Sequence, residues 1–109
     1  MDIYYKSKQI ERICNQSQVA IAKFGSVMAK KLQQRMVELK AADVLSDIGH
    51  LPPARLHELE GGRKGEFAVD LKQPFRLVFK PTEFRKGMTI EKAIVTAIII
   101  LEVIDYHGK

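Results

Sequence analysis

Residues 66–80 read EFAVDLKQPFRLVFK, and this stretch decides the fold class. Phe67, Val69 and Leu71 alternate with Glu66, Ala68, Asp70 and Lys72. Beyond Gln73-Pro74, Phe75, Leu77 and Phe79 alternate with Arg76, Val78 and Lys80. A period of two on both sides of a proline-containing turn describes an antiparallel hairpin with one buried, largely aromatic face. The same alternation points Arg76 to the opposite face.

Outward from the hairpin the pattern changes. Downstream, Pro81 ends the second strand and residues 81–92 (PTEFRKGMTIEK) are polar and loop-like. The run from Val95 to Ile104 is nearly all apolar, and its β-branched content argues for a strand covered on both faces, although periodicity alone leaves a buried helix open. Upstream, Leu51-Pro52-Pro53 forbids helix and sets an extended connection. Earlier still the spacing is helical: Ile10 and Ile13, then Ile21 and Phe24, with polar Asn15 to Ser17 breaking the region into two pieces. Gly25-Ser26 is punctuation, Gly suiting a left-handed helix end and Ser an N-cap. Met28, Leu32, Met36 and Leu39 then predict a helix from Val27 to about Ala42, with Lys30, Lys31, Gln33, Gln34, Arg35 and Lys40 outside. Asp43 is expected to cap one more short turn (VLSDI) ended by Gly49, and DIYYK at residues 2–6 reads as a first strand with Ile3 and Tyr5 on one side. The class is α+β: N-terminal helices packed on a small, mainly antiparallel sheet, in a single domain over residues 1–109.

Composition narrows the function. With 46% apolar and 28% charged residues, the chain is an ordinary globular sequence. Lys and Arg exceed Asp and Glu by 18 to 13, a formal charge of +5 that favours polyanionic partners. Cys14, the single cysteine, excludes an internal disulfide, fits a reducing compartment and reads as a small buried apolar residue. No leader architecture opens the sequence, and the longest apolar run, Ala97 to Leu101, is far too short for a bilayer, so a cytoplasmic protein without a membrane partner is expected.

Most familiar chemistries lack their residues. Gly61-Gly62 has neither the spacing nor the following Lys-Ser/Thr of a phosphate loop. His50, His57 and His107 show no ligand spacing and there is no cysteine pair, so neither metal nor cofactor is expected. No serine sits at a strand-to-helix elbow. Three polar segments attached to the sheet remain: RLHELEGGRKG at 55–65, Arg76, and Asp105-Tyr106-His107. Singly, each has an ordinary structural alternative. His57 suits a loop satisfied by backbone, Arg63-Lys64 a solvated turn, Arg76 a cross-strand partner of Asp70, and Asp-Tyr-His a polar terminus. Together they bring His, Tyr, Arg and Lys to one sheet face, which is the set RNA cleavage needs. A 2′-hydroxyl must lose a proton, phosphorane charge must be stabilised and the 5′-oxygen must be protonated.

RLHELEGGRKGEFAVDL, PFRLVF and ILEVIDYHG, in that order, resemble the RelE/ParE superfamily of bacterial toxins, and most of all its HigB-type plasmid killer branch. The likeness covers roughly residues 51–80 and 95–108. It implies a RelE-like fold of two helices on an antiparallel sheet. It implies a type II toxin that cleaves mRNA on the translating ribosome without a metal. It also implies a cognate antitoxin, commonly a helix-turn-helix protein, through which alone the pair would reach operator DNA. His57, Arg76, Asp105, Tyr106 and His107 match the family's catalytic positions, and Arg63-Lys64 a basic site usual in the same turn; Arg63, Lys64 and Lys80 are the residues expected to bind RNA. By that likeness His107 or His57 exchanges protons, Tyr106 assists or stacks on a base, Arg76 stabilises phosphate charge, and Asp105 orients a basic neighbour. The chain departs from some relatives in having Glu60 where they carry lysine, and in a longer segment over 81–94. The competing expectations are a ParE-like gyrase inhibitor, against which the proton-transfer groups argue, and a non-catalytic co-repressor that only binds antitoxin.

Overall fold

In the computed structural model, which describes residues 1–83 and 89–106, the helical half begins at Ser7. The extended Ser7 accepts a hydrogen bond from the Ile10 N–H at 3.2 Å, satisfying one orphan donor of the first turn. This follows strand β1 (Asp2–Tyr5) and starts helix α1 (Lys8–Asn15). Extended Gln16 separates α1 from α2 (Ser17–Phe24), the break expected at Asn15 to Ser17. Gly25 lies between α2 and α3 (Ser26–Ala41) with φ +87° and ψ 165°, a region nearly exclusive to glycine. Gly25 therefore serves both helix ends at once, and Ser26 is the first residue of α3 rather than its cap.

Met28, Leu32, Met36 and Leu39 are buried as their spacing predicts. Arg35, expected on the outer face, is instead 2% exposed. It lies three residues after Leu32 and four before Leu39, so helical geometry puts it on the stripe. Its guanidinium donates to Asp70 O (2.7 Å), Pro53 O (2.9 Å) and the Glu38 carboxylate (3.1 Å). Ile21 stands exposed, and Ala20 takes its place in the core. The short 3₁₀ stretch Leu45–His50 is stabilised by Asp47, whose carboxylate accepts the N–H groups of Asp43 and Val44, so Asp43 is the one capped. After a second 3₁₀ turn at Pro52–Ala54, Arg55 adopts a left-handed φ of 48° and turns the chain into the sheet.

Strands β2 (His57–Glu58), β3 (Phe67–Asp70), β4 (Phe75–Pro81) and β5 (Ala97–Asp105) complete a five-stranded sheet in the order β1-β5-β4-β3-β2. β1 runs parallel to β5 and every other pairing is antiparallel. Helices and sheet make the α+β architecture that the periodicities describe. One sheet face, carrying Phe67, Val69, Leu77, Phe79, Ile98 and Ile100, packs on the helices, with the Phe67 and Phe79 rings stacked 6.3 Å apart. The hairpin's other face is not solvated as expected. Leu59, Ala68 and Val78 form a second small cluster there, covered by Leu101, Ile104 and Tyr106.

A bulge makes that second cluster. Val78 pairs with Glu102 while Phe79 pairs with Ile100, so β5 carries one extra residue at this point. Before the bulge the even-numbered residues Ile98 and Ile100 face the helices. After it Val103 does, and Ile104 and Tyr106 are moved to the opposite face. Among the described residues no helix is long and apolar enough to cross a membrane.

Candidate functional site

The sheet face away from the helices is where the polar segments converge. Register fixes its rows: His57, Ala68, Val78 and Glu102 are neighbours across four strands, and Asp70, Arg76 and Ile104 form the next row. Ala68 has the smallest side chain of the first row, and it stands between His57 and Val78. Arg76 Nη1 reaches His57 Nε2 at 3.3 Å. His57 Nδ1 donates to the Arg55 carbonyl at 2.8 Å. A carbonyl can only accept and a guanidinium can only donate, so these partners suit the tautomer with a proton on Nδ1 and a lone pair on Nε2. The left-handed turn at Arg55 is what brings that carbonyl under the ring.

Tyr106 follows the last residue of β5, and its N–H is held by Pro74 O at 3.0 Å. The Arg76 Cζ lies 4.3 Å from the centroid of its ring, a cation–π contact that orients the guanidinium plane. The bulge in β5 is therefore what brings Tyr106 beside Arg76. Asp70 flanks the other side of Arg76, its side chain 6% exposed and Oδ1 3.4 Å from Arg76 Nε. The cross-strand pair considered for Arg76 thus exists, together with the contacts to His57 and Tyr106. Neither Asp70 Oδ1 nor Arg76 Nε has an aligned hydrogen-bond partner among the described residues. Asp70 Oδ2 accepts a hydrogen bond from Gln73 Nε2 at 3.1 Å and forms an ion pair with Arg55 Nη1 at 3.2 Å.

The expected RNA-binding residues divide. Arg63 is engaged by two carboxylates, donating to Glu66 Oε1 at 2.7 Å and Glu102 Oε2 at 2.6 Å. Burial pulls its pKa down, but the hydrogen bonds to Glu102 and Glu66 outweigh this and leave it raised. It ties the 61–65 turn to β5. Lys64 is exposed beside it, and half-buried Lys80 shares the face of Val78 and Arg76 by alternation along β4. Glu60 is exposed at the start of the turn. Asp105 pairs in register with Phe75, so alternation sets it on the helix side of the sheet while Tyr106 lies on the other. His107 lies outside the described residues.

Two supporting residues were not singled out from sequence. Arg35 holds the Asp70 carbonyl, and Gln73 holds the Asp70 carboxylate. The spacing of Arg35 from Leu32 and Leu39 was a usable signal for the first; Gln73 offered none. Cys14 is no nucleophile, because burial pushes its thiol up to about 12. Among the described residues no group of three or more His, Cys, Asp or Glu is placed to hold a metal ion. The geometry brings together an anion-binding guanidinium, an imidazole whose Nε2 is engaged by that guanidinium, and a phenol ring. That set can bind a phosphate and exchange protons with it. No family model and no curated protein matches the chain.

Proposed function

We propose that the chain is the toxin of a type II toxin–antitoxin pair, a metal-independent endoribonuclease that cleaves mRNA on the translating ribosome. The observation that carries this reading is the meeting of His57, Arg76 and Tyr106 on one sheet face, with Arg76 3.3 Å from the imidazole and 4.3 Å from the ring centroid. Arg76 takes two oxygens of the scissile phosphate in a bidentate contact. Turning toward the phosphate frees the His57 Nε2 lone pair, which accepts the 2′-hydroxyl proton. The 2′-oxygen bonds to phosphorus, the phosphorane charge falls on Arg76, and the bond to the 5′-oxygen breaks. Tyr106 or His107 supplies the proton to that 5′-oxygen, leaving a 2′,3′-cyclic phosphate and a 5′-hydroxyl. The antitoxin partner and the cytoplasmic setting belong to the same proposal.

A non-catalytic, antitoxin-binding reading is favoured by one observation, the pairing of Arg63 with the Glu66 and Glu102 carboxylates. Induced expression in a bacterial host with mapping of mRNA 5′ ends separates the readings. New ends inside translated codons are expected, vanishing in His107→Ala. Arg76→Ala should lower cleavage by about 10²–10³-fold, the usual loss for a group that stabilises transition-state charge. Growth arrest with intact mRNA would move the reading to gyrase, and no arrest would leave the binding module.

A further inference from the structure

We propose that Asp70 is a positioning residue for Arg76, holding the guanidinium under-coordinated so that a phosphodiester completes it. The inference rests on the RNA-cleaving reading above. Its basis is a near miss. Asp70 Oδ1 and Arg76 Nε face each other at 3.4 Å, both buried, yet they are not aligned as a hydrogen bond. A pair that served stability alone would close this contact, because two buried polar groups left unsatisfied are costly.

Neither partner can relax the misfit without losing something else. The Asp70 carboxylate is tied through Oδ2 to Arg55 and Gln73, and its backbone carbonyl is fixed by buried Arg35. Arg76 is held from its own side by the His57 imidazole and the face of Tyr106. The guanidinium is thus aimed by charge and stacking while most of its five donors remain unused among the described residues. A small rotation presents a bidentate edge to a phosphate without first breaking a strong pair.

The two properties of Asp70 act in different directions. Its negative charge offsets that of Arg76 toward any anion, which weakens ground-state binding. Its placement orients Arg76 for the reacting phosphate, which raises turnover. A purely structural pair predicts neither split.

The test compares wild type, Asp70→Asn and Asp70→Glu in three readouts: affinity for a short non-cleavable 2′-O-methyl RNA, cleavage rate of the matching RNA, and the ¹H–¹⁵N signal of the Arg76 Nε–H. Asp70→Asn should bind the 2′-O-methyl RNA about threefold to tenfold more tightly while cleaving about tenfold more slowly, as expected for loss of one charge contact. Asp70→Glu keeps the charge and displaces it, so affinity should hold while the rate falls. The Arg76 Nε–H signal should shift in both variants and respond to inorganic phosphate. Equal weakening of binding and rate with a lowered melting temperature would make Asp70 merely structural, as would an Arg76 signal indifferent to the substitution. If Asp70→Asn does not fold, Asp70→Glu carries the same decision. A wild-type chain that cuts no RNA overturns the functional reading alone, since the Arg76 signal and phosphate response still decide the role of Asp70.

Discussion

Arg35 is a charged residue in the interior, and what makes it tolerable is the number of acceptors around it. Its Nε and Nη2 donate to two backbone carbonyls, of Asp70 at the end of β3 and of Pro53 in the 3₁₀ turn, while Nη1 meets Glu38. Removing the guanidinium leaves those acceptors unpaired around a buried site, and the Asp70 backbone that aims the candidate site loses its anchor. Arg35→Met fills comparable volume and should destabilise the fold by about 3 kcal/mol, the range for breaking a buried, hydrogen-bonded charge. Glu38→Gln should cost far less, because the Glu38 side chain is 21% exposed and the two carbonyl contacts survive. Urea unfolding of both variants checks the ranking. A loss for Arg35→Met no larger than for Glu38→Gln would mean that water or a repacked side chain satisfies the carbonyls.

At the scale of elements, the α2–α3 corner rests on one residue. Gly25 has φ +87° with no atom within 4 Å of where a Cβ would be, so substitution there is opposed by backbone conformation alone. Gly25→Ala should cost about 1–3 kcal/mol, whereas Gly49→Ala, equally uncrowded and without a positive φ, should be near neutral. Thermal denaturation of the two variants reads the difference; equal melting temperatures would show that the corner relaxes. The elements that could be read from sequence are those long enough to repeat a period. The α3 stripe, the β3–β4 hairpin and β5 each show several turns or alternations, and so does the position of Arg76 opposite the phenylalanines. β2 is two residues long and has no period to read. The β5 bulge leaves no mark in an unbroken run of apolar residues, yet it decides that Tyr106 lies beside Arg76. Proximity of His57 to Arg76 depends on the pairing of β2 with β3 and on the left-handed Arg55, neither of which composition encodes. Arg35 was misassigned because its charge outweighed its spacing.

For the molecule as a whole, the formal charge of +5 overstates what the candidate face offers a polyanion. Arg63 is matched by Glu66 and Glu102, and Asp70 lies within ion-pair distance of both Arg55 and Arg76. Among the described residues no ion pair engages Lys64 or Lys80, which therefore carry the uncompensated charge on or beside that face. Each phosphate neutralised by a cation releases counterions and steepens the dependence of affinity on salt. Lys64→Ala and Lys80→Ala should each reduce the slope of log K against log salt for a single-stranded 2′-O-methyl RNA by about 0.7. Arg63→Ala should lower affinity, because it leaves two carboxylates facing the strand, with little change in slope, because no phosphate contact is lost. Titrations of the three variants across a range of salt concentrations separate these cases. A slope change confined to Arg63→Ala would mean that RNA displaces Glu66 and Glu102 from it, and that the turn opens on binding.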